Sequence, residues 1–270
     1  MKVIDRQLRL GQLGHAEAQT SLSVASEGGA ASGTLVDWLG FWSALAAAAL
    51  SLAFAVSIVL SLLIFPQIPW TGDIRAFATT YNPVQMVLSV VPSILLAPAF
   101  LGVAVAVHYL TPAAKRPFTL LSVAMATLYV ATVGINYFLQ LTAVRANLTA
   151  GTTEAMSLFA MGNPRSIFWA LEILGYFWQG AAALLMATYF GGGALRRWTR
   201  WMLVAVFLTG VLGVVAALGG MLSFTNPVFI AGGGAWQIVF PAAMILSALY
   251  FRRQLQIASR IESHNGARAT

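Results

Sequence analysis

The sequence contains no cysteine and very little charge. Without cysteine the chain has no disulfide, no thiolate metal site and no iron–sulfur cluster. Only 9% of the 270 residues are charged, whereas a soluble domain averages about 25%. The apolar share is 59% and the mean hydropathy is +0.80. These values exclude an ordinary soluble domain and indicate a chain that crosses a membrane several times.

Residues and motifs that carry common enzyme chemistry are also scarce. The only lysines are Lys2 and Lys115, and neither lies within an apolar segment, which excludes a retinal Schiff base of the usual kind. His108 is the only histidine at a predicted membrane boundary, which disfavours haem held by two histidines. The sequence has no phosphate-binding loop, zinc-protease or serine-hydrolase motif. We therefore predict no cofactor and no metal, and the sequence favours a protein that is not an enzyme.

Six apolar segments are long enough to cross a bilayer, which takes about 20 residues. Lipid offers no hydrogen bonds to the backbone, and the segments lack the polar–apolar alternation of a barrel strand, so each is predicted to be a helix. The predicted fold is an all-α integral membrane protein, a bundle of six transmembrane helices formed by three helical hairpins in series. The segments are residues 38–65, 83–110, 118–141, 166–190, 201–222 and 228–251.

Asn-Pro occurs at three places where the chain enters a predicted helix. Asparagine is a good N-cap, and proline at the first helical position gives up an amide that has no partner there. The pattern predicts three helix starts on the same side of the membrane. The dipeptides are Asn82-Pro83, Asn163-Pro164 and Asn226-Pro227.

The segments outside the predicted bundle are two tails and one long connection. Residues 1–36 are rich in Ser, Gly and Ala and are predicted to be a disordered cytoplasmic tail. The transmembrane domain then covers residues 37–253, and residues 254–270 form a cytoplasmic C-terminal tail. The longest connection is residues 142–165. Within it Thr152 is placed to cap a short interfacial helix that Gly162 would end.

The distribution of basic residues predicts the orientation. With the N-terminus inside, the inner segments carry eight Arg and Lys residues and the outer loops carry three. The positive-inside rule then places both termini in the cytoplasm, and we predict a bacterial inner membrane as the location. The charge of +7 is therefore interpreted as a topology signal and not as nucleic-acid binding. The predicted partners of the inner arginines are anionic lipid headgroups, at Arg196, Arg197, Arg200, Arg252 and Arg253.

Polar side chains inside the predicted helices lie mainly near the outer end. Glu172 is the one acid deep within a span, about six residues or roughly 9 Å below the outer boundary at 1.5 Å per residue. An ionisable group at such depth is a candidate functional residue. Several neighbours share its helical face or lie at the same end of the bundle. The predicted pocket consists of Asn136, Gln140, Trp169, Glu172, Tyr176, Gln179 and Gln237.

These residues allow three functional interpretations. In the first, they only bond helices to one another, and the protein is a non-catalytic membrane subunit, sensor or partner-binding protein, alone or as a homo-oligomer. In the second, they line an outward-facing pocket between the third, fourth and sixth helices that binds or transports a small molecule of unknown identity. In the third, the protein is an intramembrane enzyme for a lipophilic substrate. Glu172 would be its acid/base, although a single carboxylate gives this interpretation little support.

Two stretches resemble a group of uncharacterised prokaryotic multipass membrane proteins. The first is Asn-Tyr-Phe-Leu-Gln-Leu at residues 136–141, and the second covers residues 163–172 and 175–177. The resemblance is confined to the third and fourth helices. It implies a multipass membrane protein, and it implies no activity because none is assigned to that group.

Overall fold

The computed structural model describes residues 34–61, 63–65, 70–222 and 226–269. These residues form helices and turns, and no strand occurs among them. Six of the helices are long and apolar enough to cross a membrane, so the predicted all-α bundle of six spans is confirmed. The helices are α1 Thr34–Ser61, α2 Ile74–Thr80, α3 Pro83–Leu110, α4 Arg116–Leu139, α5 Arg145–Thr149, α6 Ile167–Met186, α7 Ala194–Leu218 and α8 Pro227–Ala269.

The two ends of the chain differ from the predicted domain boundaries. The described part of helix α1 starts at Thr34, three residues before the predicted start of the transmembrane domain. The prediction of disorder for residues 1–33 lies outside the described residues. At the other end, α8 continues past residue 253 to Ala269. Residues 254–269 of the predicted C-terminal tail are therefore helical and extend the last membrane helix.

Two of the three Asn-Pro pairs begin helices as predicted. Asn82 precedes the first residue of α3, and its side-chain oxygen accepts a hydrogen bond from the Val84 amide at 2.9 Å. Asn226 precedes α8 in the same way and accepts from the Val228 amide at 2.9 Å. In both cases the side chain satisfies an amide that the helix itself leaves without a partner.

The predicted helix start at Asn163-Pro164 is wrong. Helix α6 begins at Ile167, with Ser166 as the residue before it. The Asn163 side chain accepts from the Arg165 amide at 3.0 Å and donates to the Ser157 carbonyl at 2.7 Å. Asn163 therefore closes a turn and ties the preceding loop together, and it is not available to cap α6.

The predicted long connection is shorter and has a different structure. Helix α4 continues through a π-helical turn, Gln140–Val144, into α5, so the chain stays helical to Thr149. The predicted interfacial helix capped by Thr152 is wrong, because Ala155 adopts a left-handed conformation with φ 58° that interrupts it. Only a single 3-10 turn, Met156–Leu158, follows.

Each membrane helix packs against the next, and α1 closes the bundle. Helix α4 lies between α3 and α6, and α7 lies between α6 and α8. Helix α1 contacts both ends of this series, since Gly40 faces Phe251 of α8 and Ser43 faces Gly102 of α3. The bundle interior is filled largely by aromatic rings, among them Phe100, Tyr129, Tyr176, Trp236 and Phe240.

Glycines let α6 and α7 approach closely beside this aromatic interior. A Cβ atom on Gly210 would lie 2.9 Å from the Tyr176 carbonyl oxygen, and one on Gly180 would lie 3.0 Å from Phe207 Cα. Neither position has room for a larger side chain, which is typical of tightly packed membrane helices. The contact of Gly210 with the Tyr176 carbonyl fixes the position of Tyr176 along the axis of α7.

The bundle has two chemically different ends. We call the end that contains the loop between α5 and α6 the loop end. The opposite end, which we call the arginine end, contains the connections α3–α4 and α6–α7 and residues 250–260 of α8. The Lys115 ammonium donates to the Thr188 carbonyl at 2.8 Å and so joins its two connections.

Candidate functional site

Glu172 is the centre of a buried hydrogen-bond cluster near the loop end. One carboxylate oxygen accepts a hydrogen bond from the Tyr137 hydroxyl at 2.7 Å. The other accepts from the Asn136 side-chain amide at 3.2 Å. The three residues are 8%, 2% and 2% exposed, in the order Glu172, Tyr137 and Asn136. We call these three residues the Glu172 cluster, and it links α6 to α4.

Neighbouring groups hold the Glu172 cluster in place. Asn136 also donates to the Phe168 carbonyl at 3.1 Å, one turn before Glu172 on α6. A Cβ atom on Gly175 would lie 2.6 Å from Val133 Cγ2, so α4 and α6 are in close contact just below the cluster.

Gln140 and Trp169 bind the loop and do not join the Glu172 cluster. The Gln140 side-chain nitrogen donates to the Phe159 carbonyl at 2.8 Å. The Trp169 indole nitrogen donates to the Met161 carbonyl at 2.8 Å. Both bonds hold residues 159–161 against the ends of α4 and α6. The Gln140 side-chain oxygen is buried and has no hydrogen-bond partner among the described residues.

Tyr176 and Gln179 face α8. The Tyr176 and Trp236 ring centroids are 4.8 Å apart in an edge-to-face contact. The Trp236 indole nitrogen donates to the Gln179 side-chain oxygen at 2.8 Å. Gln179 is fully buried, and its side-chain nitrogen has no hydrogen-bond partner among the described residues. The predicted helical face of α6 is therefore divided, with Glu172 bonded to α4 and Gln179 bonded to α8.

The structure brings together only part of the predicted pocket. Asn136 and Glu172 are bonded to each other, while Tyr176 packs against Trp236 and Gln179 lies two turns beyond Glu172 on α6. Gln237 is half-buried, and its side-chain oxygen has no hydrogen-bond partner among the described residues. The sequence interpretation omitted Tyr137, which makes the shortest bond to Glu172. Its position next to Asn136 was the available signal.

A second group of residues, at the arginine end, surrounds a cavity of about 470 Å³ between α7 and α8. Three arginines line it, Arg196, Arg253 and Arg260, together with Tyr250 and the first residues of α7. An adjoining cavity of about 410 Å³ is lined by Leu195, Leu249, Arg252, Arg253 and Gln256. Of the five arginines predicted to meet lipid, three line these two cavities, while Arg197 and Arg200 line neither.

Tyrosines hold one of these arginines in a fixed position. The Arg196 guanidinium lies 5.0 Å from the Tyr189 ring centroid and 5.6 Å from that of Tyr250, and it donates to the Tyr189 carbonyl at 2.9 Å. The two tyrosine hydroxyls are hydrogen-bonded to each other. Burial raises the pKa of Tyr189 well above its usual value, so this phenol stays neutral. Asp37 at the start of α1 acts electrostatically on Tyr189.

Comparison with known proteins identified no relative of this chain. Searches against protein-family models, curated proteins and solved structures found no match to this chain. The resemblance of the third and fourth membrane helices to a group of uncharacterised membrane proteins therefore stays a prediction. The described residues include no group of three or more His, Asp or Glu side chains that could hold a metal ion.

Proposed function

We propose that this chain is a non-catalytic multipass protein of a bacterial inner membrane that acts as a subunit, sensor or partner-binding protein. The observation that carries the proposal is the bonding of Glu172. Both of its oxygens accept hydrogen bonds from Tyr137 and Asn136 inside the bundle. A carboxylate that works as acid or base must contact a substrate, and it usually acts with a second group. Glu172 instead joins two helices.

The orientation in this proposal rests on where the basic residues meet. Lys115, Arg196 and Arg253 come from three separate parts of the sequence and lie at the same end of the bundle. The start of α1 lies there too, since Gly40 packs against Phe251. The positive-inside rule favours the cytoplasmic side for this end of the bundle. Because the first membrane helix starts here and the last one ends here, we propose that both termini are cytoplasmic.

The experiment that tests the proposal is complementation of a deletion strain with Glu172→Gln. Glutamine keeps the shape of the side chain and one oxygen that can accept from Tyr137, but it cannot carry a proton or a charge in a reaction. We expect the variant to complement as well as the wild type at an equal amount of protein in the membrane. Loss of complementation with normal amount and thermal stability would mean that the carboxyl group does chemistry, which contradicts the proposal.

A second candidate function, binding or transport of a small polar molecule, is favoured by one observation. Three side chains of the predicted pocket each hold a buried polar atom without a hydrogen-bond partner among the described residues: the Gln140 oxygen, the Gln179 nitrogen and the Gln237 oxygen. Such atoms are costly in a bundle interior unless a ligand or water meets them. Gln140 lies in the π-helical turn that continues α4, Gln179 lies on α6 and Gln237 lies on α8. These correspond to the third, fourth and sixth membrane helices, which the sequence assigned to the pocket.

A further inference from the structure

The cavity between α7 and α8 at the arginine end has the composition of an anion site. Three arginines and two glutamines line it, and no carboxylate is among the lining residues that the structure describes. Arg253 and Arg260 lie two turns apart on α8, while Arg196 lies on α7. The cavity of about 470 Å³ has the size of a small-molecule site. An anion entering it would meet positive charge from two helices.

The Arg196 guanidinium is held in a fixed position at this cavity, and its Nε atom has no hydrogen-bond partner among the described residues. Its guanidinium is stacked over Tyr189 and Tyr250, and one terminal nitrogen donates to the Tyr189 carbonyl. Its Nε atom is buried and has no hydrogen-bond partner among the described residues. A planar guanidinium that is already held in place loses little entropy when it binds the oxygens of a phosphate.

The N-terminus of α7 lies at the same cavity. Gly193, Ala194 and Leu195 line it, and no side chain that the structure describes caps the first turn of α7. Unpaired amides at a helix start, with the positive end of the helix dipole, bind phosphate well. The helix start therefore adds to the arginines, and both favour an anion with several oxygens.

The adjoining cavity indicates that this anion belongs to a lipid. It shares Leu195, Arg253 and Gln256 with the first cavity. It adds Arg252 and Leu249, and Leu249 lies one turn closer to the membrane on α8 than Arg253. Leu249 is 44% exposed, so its apolar side chain is available to an acyl chain. Trp198 and Trp201, both 57% exposed, lie on the first turns of α7, where tryptophan is typical of the headgroup region.

We propose that this pair of cavities is a binding site for an anionic phospholipid of the leaflet at the arginine end. The phosphate would bind Arg196, Arg253, Arg260 and the α7 amides, and an acyl chain would run along Leu195 and Leu249. A free phosphate compound offers the same anion without the chain. The site goes beyond the function proposed above and does not depend on the role of Glu172.

The test uses the purified full chain in a neutral detergent with phosphatidylglycerol, phosphatidylcholine and inorganic phosphate as separate probes. Native mass spectrometry measures how much of each lipid stays bound. The test variant is Arg253→Gln with Arg260→Gln, because both side chains are exposed and their loss leaves the bundle interior intact. The matched control is Arg197→Gln with Arg200→Gln, which removes the same charge from exposed residues that line neither cavity.

We expect the wild type to retain phosphatidylglycerol in preference to phosphatidylcholine. The test variant should bind phosphatidylglycerol about tenfold more weakly, while the control pair stays within about twofold of the wild type. An equal loss in both pairs would show a diffuse charge effect and overturn the site. Full displacement of the lipid by an equimolar amount of inorganic phosphate would also overturn it, because the acyl chain would then add nothing.

Discussion

The Glu172 cluster and the arginine-end cavity use polar side chains in opposite ways. At the Glu172 cluster three buried polar residues bond to one another across α4 and α6. At the arginine end Arg253 and Arg260 are exposed and face a cavity whose described lining contains no carboxylate. The first region satisfies its polar groups within the chain, and the second leaves its charges open to the surroundings.

The difference follows from what surrounds each region. Within the hydrocarbon region no solvent replaces a missing hydrogen bond, so an unpaired carboxylate or amide there is costly. Near the headgroups, water and lipid phosphates supply partners, and an unpaired arginine is stable. Polar residues inside the bundle therefore report mainly on how the helices assemble. Charged residues at the end of the bundle indicate which molecules outside the chain the protein contacts.

The largest effect is expected when the Glu172 cluster loses its acceptor. In Glu172→Leu the Tyr137 hydroxyl loses its carboxylate acceptor. The Asn136 side-chain amide keeps only the Phe168 carbonyl as an acceptor. We expect the free energy of unfolding to fall by about 1–3 kcal/mol, the usual cost of a buried polar group left unpaired. The measurement is unfolding of the detergent-solubilised protein by heat or denaturant.

The control for this variant is Glu154→Leu, which removes an exposed carboxylate from the loop. Its stability should stay within about 0.5 kcal/mol of the wild type. If both variants lose the same stability, the contrast between a bonded and a solvated carboxylate is not valid.

A smaller effect should measure the bond between Tyr137 and Glu172 itself. A double-mutant cycle combines Tyr137→Phe with Glu172→Leu, each of which removes the bond, and reports their coupling energy. Hydrogen bonds between membrane helices average about 0.6 kcal/mol and reach about 1.7 kcal/mol. The 2.7 Å bond between these side chains should give a value towards the upper end. Thermal unfolding of the four proteins supplies the measurement.

The matched cycle pairs Tyr137→Phe with Gln140→Leu. The Gln140 side chain bonds to the Phe159 carbonyl and shares no described side-chain hydrogen bond with Tyr137. The two changes should be additive within about 0.5 kcal/mol. Coupling as large as in the first cycle would show that the whole loop end, and not the bond to Glu172, responds to the loss of the Tyr137 hydroxyl.

Much of the fold was predictable because its signals are local. The length of an apolar run decides whether a segment spans, and Asn82 and Asn226 cap helices through amides two residues away. The same reasoning failed at Asn163, whose side chain bonds back to Ser157 in the loop. That bond depends on the path of the loop, which a capping rule does not contain.

The candidate site was predictable only in part for a related reason. Helical spacing placed Glu172 and Asn136 at one end of the bundle, and the structure bonds them to each other. Spacing alone did not identify Tyr137, because adjacent residues project about 100° apart on a helix and its long phenol still reaches Glu172. Helical spacing also did not predict that Arg196 and Arg253 line one cavity, because that depends on how α7 packs against α8.

The smallest effect is expected at Tyr81, between α2 and α3 at the loop end. Its hydroxyl is buried without a hydrogen-bond partner among the described residues. Burial raises the pKa of Tyr81 from 10.0 to about 12, and the nearby charge of Arg145 opposes that rise. The unfolded chain therefore releases this proton at a lower pH than the folded chain. The associated stability is present below pH 10 and is lost as the pH rises through about 12.

The variant Tyr81→Phe removes this hydroxyl and sharpens the contrast between bonded and unbonded polar groups. At neutral pH we expect unchanged or slightly higher stability, within about 1 kcal/mol, because the lost hydroxyl bonds to none of the described residues. Between pH 10 and about 12 the variant should lose less stability than the wild type. Thermal unfolding across that range is the measurement, with Tyr109→Phe as a control because Tyr109 is 67% exposed. A loss at neutral pH as large as that of Tyr137→Phe would mean that an unpartnered hydroxyl stabilises the bundle as much as a bonded one, which contradicts the difference drawn between the two kinds of site.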